Sequence, residues 1–397
     1  MRKILALILI SIFLFSLSAS ADELKIRSDS AVLIEATTGQ VLYEKNKNLK
    51  LSASTLTDIA FMSVIADNLN LSQSVTASGK AVSSFPSDVS NIAAYEGEIF
   101  KVEDLLNAVR LVSAEDAKNM LKEAVSDEDF INLLNEKTES VGAANTDFEN
   151  NETTAFDTAL ILKDALSNQS FLKTFSNENY EIASTNKYKK ERALKEANMF
   201  FSSEDAEKLG IVGIKTGYTP EVGNVAAIYA DNGERAVIAV ILGADILNDV
   251  IVDLTTLLDY GFGSFNKLYL KANDVPAFTE DLVTYSAAED VAFLIKNDVT
   301  KDLLKYSYSD KGIEVSDPDG KVLTTIKVKL DEEVPVYIII TRVVLFTLIA
   351  LLTLIVVFIV SGIVKHNKKK KERQAKLKKI MRENLKEQEN KTEKLEV

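Results

Sequence analysis

The distribution of apolar residues divides the chain into segments of different character. "AVLIEATTGQVLYEK" (Ala31–Lys45) has two apolar runs on either side of Thr38, Gly39 and Gln40, a pattern that predicts two strands joined by a turn. Further along, "GIVGIKTG", "VAAIYA" and "RAVIAVILGA" predict about three more strands between residues 210 and 244.

Between these strands, apolar residues recur at helical spacing. The predicted helices are Thr57–Leu69, a pair within Lys101–Val125 broken near Val112 and Ser113, Asp127–Gly142, and Phe156–Leu166. Two strands, a helical block and about three strands predict one antiparallel sheet that is built from both ends of this segment and covered by helices. The predicted fold class is therefore α+β, over roughly residues 22–265.

The C-terminal part of the chain has a different pattern. Short alternating runs within residues 266–335 predict a small β domain. Val343–Val364 contains no charged residue, and at about 1.5 Å per residue it spans about 33 Å, enough to cross a bilayer. We therefore predict a transmembrane helix within residues 336–364. The tail at 365–397 begins "KHNKKKKERQAKLKK", and such a basic flank predicts that it is cytoplasmic and that the preceding domains are extracellular.

The N-terminus reads "MRKILALILISIFLFSLSASA". Two basic residues, an apolar run and a small-residue end predict a secretory signal peptide at residues 1–21, and an uncleaved anchor is the alternative. The chain has no cysteine, and His366, in the tail, is its only histidine. The extracellular part therefore cannot contain a thiol nucleophile, a Ser-His-Asp triad or a histidine-ligated zinc site.

Charge adds a further restriction. The net charge is −13, although the tail from Lys365 onward has 13 basic and only 6 acidic residues. The extracellular part is therefore more acidic than the chain as a whole, which argues against nucleic acid as a partner. We predict no metal and no cofactor.

Several stretches together resemble one family. They are "SAVLIEATTGQVLYEKN", "LLNAVRLVSAEDAKNML", "INLLNEKTESVGAANTDF", "GIVGIKTGYTPEVGN" and "LLDYGFGSF". In order and spacing they resemble the serine-type D-alanyl-D-alanine carboxypeptidases, low-molecular-mass penicillin-binding proteins that trim peptidoglycan stem peptides. The resemblance covers roughly residues 22–265. It implies a serine β-lactamase/penicillin-binding-protein-like fold with a helical subdomain, and a cell-wall component as the partner.

The resemblance implies three catalytic elements. Ser-x-x-Lys supplies a nucleophile and, one helical turn later, the lysine that takes its proton. Ser-x-Asn relays protons and holds the peptide amide. Lys-Thr-Gly on an edge strand binds the terminal carboxylate of the substrate, and here it is intact as Lys215, Thr216 and Gly217.

The other two elements are altered. In "LKLSASTLTDIAF" an ungapped alignment puts Thr55 at the nucleophile and Asp58 at the lysine, whereas a shift of one residue puts Ser54 at the nucleophile; the lysine is lost either way. The second element keeps Ser113 but has Glu115 in place of asparagine. A histidine common in the family near "NNETTAFD" is also missing.

These changes replace a pocket of two lysines by one lysine and two carboxylates. We expect Lys215 to pair with Glu115 or Asp58, since opposite charges about 4 Å apart attract by about 4 kcal/mol at an effective dielectric constant near 20. The sequence thus predicts a catalytically impaired binding or scaffolding protein of cell-wall peptidoglycan metabolism. The alternatives are an active carboxypeptidase that uses Thr55 or Ser54, and a sensor that reports through the tail.

Overall fold

The structure is a computed structural model that describes residues 24–126, 129–195, 204–280, 283–331 and 336–393. The predicted signal peptide at 1–21 lies outside the described residues. Contacts between Cα atoms divide the chain into two compact units. The first extends to Leu270 and adds Val291–Ser309 and Glu314–Thr325, while the second comprises Lys271–Asp290, Asp310–Ile313 and the chain from Ile326 onward.

Strands and helices are numbered in chain order. The strands are β1 (Ser30–Glu35), β2 (Val41–Lys45), β3 (Leu51–Ser52), β4 (Ser74–Thr76), β5 (Ile99–Lys101), β6 (Glu152–Thr153), β7 (Asn179–Ile182), β8 (Arg192–Lys195), β9 (Ile211–Thr219), β10 (Gly223–Asp231), β11 (Ala236–Ala244), β12 (Phe265–Leu270), β13 (Phe278–Glu280), β14 (Val283–Ala287), β15 (Val291–Lys296), β16 (Lys305–Ser309), β17 (Gly312–Ser316), β18 (Val322–Ile326) and β19 (Val328–Asp331). The α-helices are α1 (Thr57–Asn68), α2 (Val102–Val112), α3 (Glu115–Val125), α4 (Phe130–Val141), α5 (Ala155–Ala165), α6 (Gln169–Phe175), α7 (Glu204–Lys208), α8 (Leu247–Gly263) and α9 (Val336–Glu393).

A five-stranded sheet forms the centre of the first unit. Its order is β2-β1-β11-β10-β9, and every neighbouring pair is antiparallel. The two N-terminal strands therefore pair with strands that follow the helical block, which confirms the predicted α+β fold class. Strand β9, which carries Lys215, lies at one edge of this sheet.

Both faces of the sheet are buried, which explains the nearly continuous apolar runs in its strands. Successive strand residues point to opposite faces. In β1, Val32 and Ile34 contact the core formed with α1 to α6, whereas Ala31 and Leu33 contact the core formed with α8. In β9, Ile214 joins the α8 core, so Lys215 points the other way, toward the helical block.

Helix α9 is long and apolar enough to cross a membrane, and among the described residues it is the one helix that meets this test. Its apolar segment has no buried residue, unlike a helix of a soluble core. The helix continues into the basic tail as far as Glu393. In the same unit, β13, β14 and β19 form a three-stranded antiparallel sheet.

The start of β1 is fixed on α8 by one buried carboxylate. Asp253 is fully buried and accepts hydrogen bonds from the Arg27 N–H (2.9 and 3.0 Å), the Ser28 N–H (2.7 Å) and the Ser28 hydroxyl (2.6 Å). These bonds attach the segment before the sheet to the helix that covers it.

We expect Asp253→Ala to lower the free energy of unfolding by about 3 kcal/mol, because it leaves several donors without their charged acceptor. Urea unfolding followed by circular dichroism measures the change. Asp259→Ala, at an exposed position of the same helix, is the matched control and should change stability little. Equal effects of the two variants would contradict this role of Asp253.

Candidate active site

A 3₁₀ turn (Ser54–Leu56) leads directly into α1 and carries the altered first element. Ser54 has φ of 50°, in the left-handed region that few residues other than glycine adopt. The turn continues into the helix, so Thr55 and Asp58 lie about one helical turn apart. Asp58 is buried in the first turn of α1, together with most of that helix.

Asp58 and Lys215 form a buried ion pair. Each residue is 3% exposed, and Lys215 Nζ lies 3.0 Å from Asp58 Oδ2. This approach is a contact between charges rather than an aligned hydrogen bond. The expected pairing of Lys215 therefore occurs with Asp58, and Glu115 has a different partner.

The Lys215 ammonium also donates hydrogen bonds to the end of α2. It bonds to Ser113 Oγ at 2.8 Å and to the carbonyl oxygens of Val109 at 3.0 Å and Arg110 at 3.2 Å. The last carbonyls of a helix have no partners within the helix and attract cations. Lys215 is thus held by a carboxylate, a hydroxyl and two carbonyls.

Ser113 reaches this position because α2 ends there. The residue has φ of 52° and ψ of 41°, the left-handed conformation in which helices commonly end. Helix α3 then starts at Glu115, after Ala114 in an extended conformation. The predicted break near Val112 and Ser113 is confirmed.

Lys118 is a residue of the site that the sequence analysis missed. Its Nζ lies 2.6 Å from Glu115 Oε2 and 3.6 Å from Asp58 Oδ1. Charges of alternating sign therefore run from Lys215 through Asp58 and Lys118 to Glu115. The prediction that carboxylates outnumber ammonium groups in the site is wrong, because Lys118 supplies a second ammonium. The spacing of three residues from Glu115 on a predicted helix was the available signal.

The surroundings of Lys118 keep its amine charged. Burial alone would lower the pKa of Lys118, but the attraction of Asp58 and the hydrogen bond to Glu115 outweigh this effect and raise it. At neutral pH the side chain is an ammonium, which can donate a proton but cannot accept one.

The two candidate nucleophiles both face Gly217. A Cβ atom at that glycine would lie 2.5 Å from Thr55 Oγ1 and 2.6 Å from Ser54 Oγ, so only glycine fits there. The Thr55 hydroxyl donates a 2.6 Å hydrogen bond to the Thr216 carbonyl. The Ser54 hydroxyl makes no hydrogen bond to any described residue.

A pocket of about 350 Å³ opens beside these charges. Its lining combines the charged groups of Asp58, Glu115 and Lys118 with an aromatic floor. The Phe61 and Phe130 rings in that floor are 4.9 Å apart between centroids. The remaining lining residues are Thr57, Lys122, Ile131, Leu134, Phe148 and Asn151.

Comparison with known proteins gives a consistent result. The family model described as D-alanyl-D-alanine carboxypeptidase matches residues 17–246. The D-alanyl-D-alanine carboxypeptidase DacF of Bacillus subtilis is 29% identical over 371 residues, covering 84% of this chain and 92% of that protein. DacC of Escherichia coli is 27% identical over 354 residues, covering 81% and 86%.

Solved structures show the same fold. Penicillin-binding protein 5 from Haemophilus influenzae superimposes with a TM-score of 0.62 at 20% identity, covering 78% of this chain and 98% of that one. Penicillin-binding protein 6B from Escherichia coli gives a TM-score of 0.62 at 20% identity, covering 79% and 98%.

Replacing Asp58 by asparagine leaves the buried ammonium of Lys215 and the partly exposed ammonium of Lys118 without their shared carboxylate. We expect the free energy of unfolding at pH 7 to fall by about 3–5 kcal/mol, as when one partner of a buried ion pair is removed. Urea denaturation measures it. Glu115→Gln serves as control, because the Glu115 side chain is 29% exposed and its ion pair should contribute only about 0–1 kcal/mol. Similar losses in both variants would argue against the buried pair.

The contact between Asp58 and Lys118 predicts a pH dependence. The pKa of Lys118 is raised on folding, so its contribution is complete below the unfolded pKa of about 10.4 and is lost as the pH rises through the folded value. The stability difference between the natural chain and Asp58→Asn should therefore shrink above about pH 10. A difference that stays constant from pH 7 to pH 11 would show that Lys118 does not depend on Asp58.

Proposed function

The chain belongs to the D-alanyl-D-alanine carboxypeptidase family, and from this premise we propose that it is a catalytically impaired member. It binds a peptidoglycan stem peptide, or another cell-wall component, without efficient hydrolysis. It acts as a binding or scaffolding protein outside the cell membrane. Helix α9 anchors it, with the basic tail on the cytoplasmic side.

The observation that carries this proposal is the position and pairing of Asp58. Acyl transfer requires a base that takes the proton of the attacking hydroxyl. The resemblance implies that a lysine at position 58 would do this, and Asp58 instead lies between two ammonium groups at 3.0 and 3.6 Å. If this carboxylate took up a proton, the charge that holds both lysines would be cancelled. Loss of one member of such a catalytic unit lowers rates by roughly 10⁴–10⁶.

Lys118 does not replace the missing base. Its amine enters the site from α3, but its pKa is raised, so it is protonated when a base would be needed. The remaining lysine, Lys215, is held by Asp58, Ser113 and the end of α2. A substrate carboxylate that approaches Lys215 meets an ammonium already paired with a built-in carboxylate, which weakens recognition of an anionic chain end.

Thr55 is the better candidate for the nucleophile position. It precedes Asp58 by three residues, the spacing of the family's first element. Its hydroxyl is already committed to the Thr216 carbonyl. The Ser54 hydroxyl lacks that bond and is the alternative nucleophile. Hydrolysis that depends on Ser54 would therefore contradict this proposal most directly.

The direct test uses the full-length chain in detergent with a fluorescent penicillin and a synthetic pentapeptide ending in D-Ala-D-Ala. We expect no covalent band and no measurable release of D-alanine, because the hydroxyls have no base. The Bacillus subtilis relative serves as positive control. A band that disappears in the Ser54→Ala/Thr55→Ala variant would refute the proposal, and each single variant would identify the nucleophile.

Binding is tested separately, by titrating the same pentapeptide into the full-length chain. We expect saturable binding that Lys215→Met weakens. Absence of binding would remove the binding role while leaving the loss of catalysis in place.

Restoring the lysine should not suffice. Asp58→Lys alone adds a third ammonium beside Lys215 and Lys118 and removes their shared carboxylate, so we expect an unstable, unlabelled protein. The triple variant Asp58→Lys/Glu115→Asn/Lys118→Ala returns to two lysines without a carboxylate, and we expect it to regain penicillin labelling. Equal labelling of the single and triple variants would show that Lys118 and Glu115 do not influence the site.

A further inference from the structure

The hairpin formed by β7 and β8 carries a basic surface on an otherwise acidic chain. Its turn and second strand, "TNKYKKERALK" (Thr185–Lys195), contain five Lys or Arg residues and one Glu, whereas the whole chain has a net charge of −13. Tyr188 stands among these cations. Together with Tyr95, Lys187 and Lys190 it forms what we call the Tyr95–Tyr188 surface.

A buried ion pair fixes this surface in place. Arg192 donates to both carboxylate oxygens of Glu98, at 2.9 and 3.0 Å, and Glu98 is fully buried. Burial alone would raise the pKa of Glu98, but hydrogen bonds from Arg192 and Thr185 outweigh it and lower the pKa. The Arg192 guanidinium also lies 4.4 Å from the Tyr188 ring centroid.

A second set of bonds ties the hairpin tip to the loop before β5. The Asn186 side chain donates to the Gly97 carbonyl at 2.8 Å and accepts from the Ile99 N–H at 3.0 Å. The tip is therefore ordered without a ligand, so binding would not have to pay for its ordering.

The surface presents aromatic and cationic groups side by side. The Tyr95 and Tyr188 rings are stacked, 6.3 Å apart at an interplanar angle of 27°, and Tyr95 is 53% exposed. Lys187 and Lys190 are exposed, and neither forms an ion pair with any described residue. Lys189 differs, since its amine folds back onto the carbonyls of Thr185 and Asn186.

Hydrogen bonds link one part of this surface to the candidate active site. The loop that carries Tyr95 is attached to the first turn of α3, where the Asp116 carboxylate accepts from the Ile92 N–H at 3.0 Å and the Ala94 N–H at 3.1 Å. The Ser90 carbonyl accepts from the Glu115 N–H at 2.8 Å. The loop that carries Tyr95 is therefore attached to the helix that provides Glu115 to the site.

We propose that the Tyr95–Tyr188 surface binds an anionic glycan, with sugar rings packed on the exposed face of Tyr95 and carboxylates beside Lys187 and Lys190. The flat tyrosine ring offers an apolar face with a polar edge, which suits the apolar face and hydroxyl rim of a sugar. The two ammoniums without ion-pair partners select a ligand with negative charges. The proposal extends the proposed function from the stem peptide to glycan strands from which the peptide has been removed, because only there are the muramic carboxylates free.

The test uses the full-length chain in detergent and, as probe, peptide-free peptidoglycan glycan strands with free muramic carboxylates. Affinity is measured by fluorescence titration at low and at physiological salt. We expect Lys187→Gln/Lys190→Gln and Tyr95→Ala each to weaken binding about tenfold, a loss of about 1.4 kcal/mol, and the lysine variant to reduce the salt dependence. Lys25→Gln/Lys267→Gln removes two exposed lysines elsewhere in the first unit and should leave the affinity unchanged.

Three further probes give the outcomes that would overturn the proposal. Neutral N-acetylglucosamine oligomers should bind more weakly than the anionic strands. Equal binding of the two would show that the lysines do not select an anionic ligand. If polyphosphate binds as tightly as the glycan strands, and Tyr95→Ala does not weaken its binding, the surface recognises negative charge alone and the proposal is refuted. If anionic phospholipid vesicles bind through the same residues and the glycan strands do not bind, the surface is a membrane-binding site instead.

The same experiment separates this proposal from the proposed function. Glycan binding that persists when the pentapeptide fails to bind supports the Tyr95–Tyr188 surface and counts against the binding role of the cleft. If the natural chain binds the pentapeptide but not the glycan strands, only the proposal for the Tyr95–Tyr188 surface is refuted.

Discussion

The buried contact between Asp58 and Lys215 is the interaction on which the rest of the site depends. Lys215 belongs to an edge strand of the sheet and Asp58 to the first turn of α1, so the pair joins the sheet to the helical block. Two buried charges are tolerated only when they satisfy each other and their remaining hydrogen-bonding capacity. The hydroxyl of Ser113 and the final carbonyls of α2 complete this arrangement around the ammonium.

A carboxylate in this position changes the neighbouring residues as well. Lys118 approaches Asp58 from α3 and pairs with Glu115, so the site regains a second ammonium while acquiring two carboxylates. The cleft keeps a glycine that allows close approach of the strand and the 3₁₀ turn, and it keeps hydroxyls at that point. The hydroxyls of Ser54 and Thr55 thus stay close to the strand, whereas the four charged groups of the site are engaged with one another.

Much of the fold could be predicted from the sequence because strands and helices leave distinct apolar periods. The apolar runs in β1 and β11 indicated strands, and the boundaries of α1 and α5 were predicted to within one or two residues. The break between α2 and α3 could also be predicted. The sequence did not indicate how the later strands divide between the two compact units, because that division depends on contacts between distant residues.

For the site, the sequence by itself determined which residue types occupy the three elements, since motif spacing along one helix or strand is a local property. Only the tertiary structure decided the pairing: that Asp58 rather than Glu115 reaches Lys215, that Lys118 joins them, and that the Thr55 hydroxyl bonds to Thr216. It also brought Tyr95 against Tyr188, which are far apart in sequence. Such contacts depend on how α1, α3 and the sheet edge pack, and electrostatic partners at 3 Å follow from that packing rather than from their order along the chain.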